Sequence, residues 1–219
     1  DGVEGVTWDS TLSTGRITLY LNDWTGVCKD VNFRKAVQAA INKDDINAAV
    51  YAGRTESLNV DMCSNYNGFI TPEDGVEVVP YNPEAAEAYL KESNYNGEEF
   101  VLSVNSGTAL EAVAKILQAQ LLEVGINCTI KATDYQTYAA QWAERTYEAY
   151  ILNNLSSLVD ADGVYTGHRL DRANWEDRVF KRDGEISELL LTGRAAIGEA
   201  RKPFYVKACN IVTEEAYDV

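Results

Sequence analysis

The chain has 219 residues, of which 46% are hydrophobic, and a formal net charge of −15. This length allows one large core or two small ones, and no apolar run approaches the ~20 residues that a transmembrane helix needs. The acidic balance argues against nucleic acid as a partner, because phosphate binding needs clustered Lys and Arg. The sequence begins at Asp1 with no Met and no charged-then-apolar leader, so we expect a fragment whose signal segment lies elsewhere.

The first elements in chain order are a strand and two helices. Residues 16–22 predict a strand, and the apolar spacing that follows predicts a helix. Its inner stripe consists of Phe33, Ala36, Val37, Ala40 and Ile41. Asn42 is placed to cap a second helix, which Gly53 ends. Residues 54–80 are rich in Asn, Gly and Pro and predict a long surface loop, which is uncommon in a compact domain unless it has a function.

From residue 82 onward, helices and strands alternate. Asn82 followed by Pro83 starts a helix, and Thr108 with Glu111 predicts a capping box for another. The predicted strands are residues 100–104, 126–131 and 147–152, and the helix before the last strand carries Tyr135, Tyr138, Ala139 and Trp142 inward. This β-α-β-α-β order predicts an α/β fold with a mostly parallel sheet flanked by helices. Residues 184–216 predict two helices broken near 193–198.

Polar residues at the ends of these strands are the candidate ligand contacts, since ligands of open α/β sheets bind where strands end. They are Asn22, Trp24, Asn105, Ser106, Asn153, Asn154, Ser156, Ser157 and Asp160. Two alternatives stay open: residues 153–157 also fit a plain surface turn, and Trp24 either stacks on a ligand or walls a hinge.

No motif for a nucleophile or a metal accompanies these residues. The only histidine, His168, has no recognisable partner for catalysis. The four cysteines show no CxxC spacing, so we expect no metal site and no cofactor. Cys28 and Cys63 fall in predicted loops, where a disulfide can form in an oxidising compartment. Cys128 and Cys209 fit buried small hydrophobes.

Five segments, in order, resemble the C-terminal lobe of the family 5 solute-binding proteins of dipeptide, oligopeptide and nickel importers. The segments are 33–44 (FRKAVQAAINKD), 50–54 (VYAGR), 81–90 (YNPEAAEAYL), 117–126 (LQAQLLEVGI) and 186–213. Each one alone also fits ordinary capping and packing. Their common order and spacing extend the resemblance over residues 16–215.

The resemblance implies a periplasmic-binding-protein-like lobe of the type II, oligopeptide-binding class. Residues 1–15 would lead into the hinge strand, and residues 16–219 would form the C-terminal lobe, with the N-terminal lobe outside this chain. Two lobes of such a protein close around a ligand. It would act outside the cytoplasm, either periplasmic or lipid-anchored on the outer face of the membrane, as a monomer.

The sequence departs from the dipeptide-binding members at two positions. Aligning their Asp-Pro-Asp step on residues 160–162 places Ser157 where they have the Asp that pairs with the peptide ammonium, unless a slip of a few residues gives that role to Asp160 or Asp162. Residues 105–109 contain no Arg to hold a peptide carboxylate. Both terminal anchors are therefore missing, which favours a longer peptide or a non-peptide solute over free dipeptides.

The sequence thus predicts capture of a solute, foremost a peptide, for delivery to the permease of an ABC importer, without catalysis. The alternatives are a non-peptide solute, such as an oligosaccharide or a metal chelate, and a cell-surface sensor module. A surface hydrolase is a further alternative, which would require a nucleophile or an acid pair.

Overall fold

The computed structural model describes residue 7 and residues 11–60, 62–155, 158–163 and 184–219. The strands are β1 (Gly15–Leu21), β2 (Phe100–Asn105), β3 (Cys128–Thr133) and β4 (Ala149–Leu155). The helices are α1 (Val31–Ala40), α2 (Lys43–Tyr51), α3 (Pro83–Glu92), α4 (Leu110–Glu123), α5 (Tyr135–Glu144), α6 (Gly184–Ala195) and α7 (Lys202–Glu214).

The sheet of the described residues has the strand order β1-β4-β2-β3. Strand β2 is parallel to both β3 and β4, which confirms the mostly parallel sheet flanked by helices. Strand β1 is antiparallel to β4, in a register that joins Gly15 to Leu155 and Leu21 to Ala149. One edge of the sheet therefore carries the ends of β2, β3 and β4 together with the start of β1, and we call it the carboxyl edge.

Helices α1 and α4 cover one face of the sheet and form the larger core with it. Phe33 of α1 meets Phe100 of β2 with ring centroids 5.3 Å apart. Burying each such side chain stabilises the fold by about 2 kcal/mol. The predicted inner stripe of α1 is confirmed, because Phe33, Ala36, Val37, Ala40 and Ile41 are all buried. Helix α4 contributes a second buried stripe: Leu110, Val113, Ala114, Leu117, Leu121 and Val124.

The second face of the sheet packs against α5 through aromatic rings. Tyr138 stacks on Tyr150 at 4.0 Å, and Trp142 lies 5.1 Å from Tyr20. The first residue of α5, Tyr135, was predicted to point inward with these rings, but its side chain is 69% exposed. The first residue of α5 that is buried against the sheet is Tyr138, one turn later. Helical spacing alone therefore predicted the wrong environment for Tyr135.

The long irregular segment 54–80 lies partly in a second core rather than on the surface. Met62 and Ile70 are fully buried there, in a cluster with Ile186 of α6 and Tyr205 of α7. Isolated apolar residues between turns have no periodicity, which is why the sequence indicated only a loop.

The predicted disulfide between Cys28 and Cys63 is wrong, because all four cysteines are free thiols in buried positions. The Cys63 thiol donates to the carbonyl of Gly15, 3.5 Å away, at the start of β1. Cys28 follows the other end of the same strand. The seven residues of β1 span about 20 Å, and a disulfide needs Cα atoms within about 7 Å. Cys128 and Cys209 are buried, as predicted.

Candidate functional site

The carboxyl edge brings together polar residues from two strands. Asn105 ends β2, and the backbone N–H of Ser106 donates to the carbonyl of Thr133 at the end of β3, at 2.8 Å. Asn153 and Asn154 lie in the last three residues of β4. Four predicted contact residues thus share one edge of the sheet, because β2 and β4 are parallel neighbours.

Asn153 and Asn154 face opposite sides of the sheet, since successive side chains of a strand alternate. Asn154 is buried, and its side-chain amide donates to the hydroxyl of Tyr20 at 2.8 Å. Asn153 is exposed and lines a cavity of about 460 Å³ on the α1 and α4 side. Asn154 therefore has a structural partner, and Asn153 is the one that faces open space. Ser156 and Ser157 lie outside the described residues.

Asn22 and Trp24 lie at the other end of the sheet and do not join this group. The Asn22 side-chain amide donates to the carbonyl of Tyr147 at 2.8 Å, which ties the end of β1 to the segment before β4. The guanidinium of Arg145 lies 4.7 Å from the Trp24 ring. Because β1 runs antiparallel to β4, the residues that follow β1 are at the opposite edge from Asn105 and Asn153, so the structure separates these two predicted contacts from the others.

Tyr135 is an edge residue that the sequence did not reveal as one. It is the first residue of α5, directly after β3, and it is 69% exposed. The carboxylate of Asp134 accepts hydrogen bonds from the backbone of Gln136 and Thr137 and fixes the start of the helix. The aromatic ring is thus presented from a rigid turn. The signal was available in principle, since the first residue of a helix that follows a parallel strand lies at the edge where the strand ends.

The cavity beside Asn153 reaches from the carboxyl edge along β1. Its walls come from β1, α2, segment 54–60 and the end of α7, and Leu155 and Gly15 line it at the carboxyl edge. Its volume lies in the range of small-molecule sites in proteins.

Asp160 follows β4 and is held by neighbours rather than left open to a ligand. Arg201 donates to both of its carboxylate oxygens, one of them at 2.9 Å, and Asn67 donates at 2.8 Å. Burial alone would raise the pKa of this carboxyl, but the hydrogen bonds, that from Arg201 first, outweigh burial and lower the pKa from 3.8. Asp160 therefore anchors the segment after β4 to the region of α7.

Replacing Asp160 with Asn is expected to lower the free energy of unfolding by about 1–2 kcal/mol at pH 7. A carboxyl whose pKa is lowered on folding stabilises the protein above its unfolded pKa of about 4 and loses that contribution as the pH falls through the folded pKa. The difference between wild type and variant should therefore be full at pH 7 and shrink below pH 4. Urea unfolding at pH 7, 5 and 3 measures it. Glu87→Gln, at an exposed position of α3, is the control, and an Asp160→Asn difference that stays constant with pH would contradict the assignment.

The described residues offer no metal centre and no membrane span. No three His, Cys, Asp or Glu side chains among them lie close enough together to hold a metal ion. Within the same ranges, every helix is too short or too polar to cross a bilayer. His168 lies outside the described residues.

The fold is that of the periplasmic binding proteins. HbpA2 from Haemophilus parasuis superposes with a TM-score of 0.84 at 19% identity, over 94% of this chain and 42% of that protein. DppA from Helicobacter pylori, in complex with the peptide STSA, gives 0.82 at 20% identity, over 94% and 41%. NikA from Brucella suis, in complex with Fe(III)-EDTA, gives 0.79 at 19% identity, over 94% and 44%.

The chain belongs to the bacterial extracellular solute-binding proteins, family 5, whose middle region matches residues 3–175. A Brucella ovis protein whose name assigns it to peptide binding for an ABC transporter is 29% identical over 115 residues, and a Brucella melitensis protein with the same assignment matches equally. That match covers 50% of this chain and 21% of the relatives. The chain thus corresponds to part of the length of its relatives.

Proposed function

We propose that the protein captures a solute, foremost a peptide, at the carboxyl edge and delivers it to the permease of an ABC importer. The carrying observation is that Asn105, Ser106, Asn153 and the exposed ring of Tyr135 share one edge of an open, mostly parallel sheet. Family membership supports this use of the edge, because ligands of open α/β sheets bind there.

The edge suits reversible binding. Amide and hydroxyl groups orient a ligand through hydrogen bonds, while an aromatic ring supplies contact area at low entropic cost. The Asp160 carboxylate, the one charged residue of the predicted set, is engaged by Arg201. No bond-making step is required of these groups, so the proposed protein is a binder and not an enzyme, without a cofactor.

The ligand class we propose is a peptide held mainly along its backbone. Residues 105–109 contain no Arg for a terminal carboxylate, and the Arg201 ion pair leaves Asp160 poorly placed for a terminal ammonium. The name of the Brucella relatives and the peptide complex of DppA support peptides. If the protein bound a metal chelate instead, as NikA does in its complex with Fe(III)-EDTA, the proposed ligand class would change from peptide to chelate.

In this proposal the chain forms the C-terminal lobe of a two-lobed monomer. The carboxyl edge faces a second lobe, and hinge closure buries the ligand between them. The predicted approach from the hinge through residues 1–15 stays a prediction, since residues 1–6 and 8–10 lie outside the described ranges. The protein acts outside the cytoplasm, where the open form meets solute and the closed form docks on the permease.

A thermal-shift screen of the protein in its full natural length tests the ligand class. Peptides of two to eight residues, oligosaccharides and metal chelates are compared, and we expect peptides to raise the melting temperature by mass action. With the best peptide, Tyr135→Ala and Asn153→Ala should each weaken binding about tenfold, which corresponds to about 1.4 kcal/mol.

Tyr81→Ala is the matched control, since Tyr81 is an exposed tyrosine next to α3. It should leave the dissociation constant unchanged. A screen in which no peptide shifts the melting temperature would contradict the proposal that the ligand is a peptide. Tyr135 and Asn153 variants that bind as tightly as wild type would contradict the proposal that the ligand binds at the carboxyl edge.

A further inference from the structure

Residues 54–59, which we call the strap, line one side of the cavity beside β1. Side chains of α2 hold the strap in place. Asn47 exchanges hydrogen bonds with Thr55, donating to its carbonyl at 2.7 Å and accepting from its backbone N–H at 3.2 Å. The ammonium of Lys43 donates to the carbonyl of Leu58 at 2.8 Å. The cavity is therefore walled by specific contacts and is not a gap between loosely packed elements.

Much of the cavity lining is apolar. Six buried aliphatic side chains line it, from β1, β4, α4, α7 and the residue after α1: Leu19, Ile151, Val113, Leu117, Val212 and Ile41. Such walls bind aliphatic groups through the area that they remove from water. A ligand for this cavity needs an apolar body.

Lys43 places an amino group against this apolar interior. Burial lowers the pKa of Lys43, while the nearby Asp218 and Cys209 partly oppose that shift. Its ammonium donates to the neutral carbonyl of Leu58. An ammonium has three donors, so it can bind a further anionic group and keep this bond.

The other charged residues that line the cavity differ in position. Arg16 of β1 is buried, and because it pairs with Asn154 its side chain lies on the opposite side of the sheet from Asn153 and the apolar walls. Arg54, Glu56 and Glu77 are exposed at the rim, where solvent and salt screen them. Asp218 is half-buried in the cavity wall and engaged in contacts of its own. Lys43 is therefore the group from which a ligand in the apolar interior gains a charge-assisted hydrogen bond.

We propose that this cavity binds a small aliphatic carboxylate, with the Lys43 ammonium as its counter-ion and the apolar walls around its chain. The proposal goes beyond solute capture at the carboxyl edge, although Asn153 lines both places. Binding forms hydrogen bonds and an ion pair only, and no covalent bond changes.

Calorimetric titration with octanoate and with octan-1-ol tests the charge. The two probes share an aliphatic chain and differ in the carboxylate. We expect octanoate to bind at least tenfold more tightly than octanol. Lys43→Met should abolish that preference, so that octanoate binds no more tightly than octanol. Lys91→Met, at an exposed lysine of α3, should preserve the preference.

Alkylation of the wild-type thiols by N-ethylmaleimide tests the location without any variant. Cys209 lines the cavity and Cys28 does not, while both are buried. Octanoate should slow the labelling of Cys209 at least fivefold more than that of Cys28, whereas stabilisation of the whole fold would slow both equally.

Three results would overturn the proposal: no octanoate binding at millimolar concentration, an unchanged preference in Lys43→Met, or equal protection of Cys209 and Cys28. None of these readouts uses a peptide ligand. Failure here is therefore distinct from failure of solute capture.

Discussion

Gly26→Ala is expected to lower the free energy of unfolding by about 3–5 kcal/mol. The loss has two causes: alanine is strained in the left-handed backbone conformation of this position, and two hydrogen bonds to a carboxylate are broken. Gly26 has φ +52°, and a Cβ built on it would lie 1.5 Å from the Oε1 atom of Glu148. That oxygen accepts from the backbone N–H of Val27 at 3.0 Å, and Oε2 accepts from that of Val101 at 2.9 Å. The added methyl group must displace the carboxylate from both donors.

Thermal and urea unfolding measure this loss, which should lower the melting temperature by about 10 °C for a chain of this size. Gly53→Ala is the matched control. Gly53 has φ +71° and no atom within 4 Å of a built Cβ, so its variant retains only the conformational cost of about 1–2 kcal/mol. Equal losses at the two positions would show that the contact with Glu148 contributes nothing.

Local signals predicted most of the elements because they act within a few residues. The side-chain oxygen of Asn42 accepts from the backbone of Asp44 and Asp45, and that of Asn82 accepts from Ala85, as the capping patterns indicated. The apolar stripe of α4 is buried along its whole length. The predicted capping box of α4 is different, however. Thr108 donates to the carbonyl of Asn105, and Glu111 alone reaches back, to the backbone N–H of Gly107.

The features that sequence did not predict depend on contacts between distant segments. Whether β1 pairs parallel or antiparallel is set by its partner β4, more than 120 residues away, and that direction moves Asn22 and Trp24 to the far edge. The ion pair of Asp160 with Arg201 likewise joins residues 41 positions apart. Residue type and spacing placed Asn105 and Asn153 at strand ends correctly, since a strand end is a local property. Which of the strand ends meet is a property of the sheet.

Arg34 is part of a segment that carries the family resemblance, but the sequence alone did not show what this residue does in the fold. It lies in the matched segment 33–44 next to Lys35, and the structure buries Arg34 in α1. Its guanidinium donates to the carbonyls of Cys28 at 2.8 Å and Glu215 at 2.9 Å and lies 5.3 Å from the Tyr217 ring. It thereby joins α1 to the turn after β1 and to the end of α7. Tyr217 in turn accepts from the backbone of Leu21, so the same contacts hold the chain end against β1.

Arg34→Met is expected to lower the free energy of unfolding by about 3–5 kcal/mol, because buried carbonyls lose their donors while the apolar stem is retained. Urea unfolding followed by circular dichroism measures the loss. Glu215→Ala separates the ion pair from the carbonyl contacts. Its carboxylate is 43% exposed, at 3.3 Å from the guanidinium, so its removal should cost only about 0–1 kcal/mol. Arg34→Lys should recover less than half of the loss, since a single ammonium cannot reach both carbonyls in the geometry of a guanidinium. If Glu215→Ala instead destabilised the protein as much as Arg34→Met, the ion pair and not the carbonyl contacts would hold these segments together.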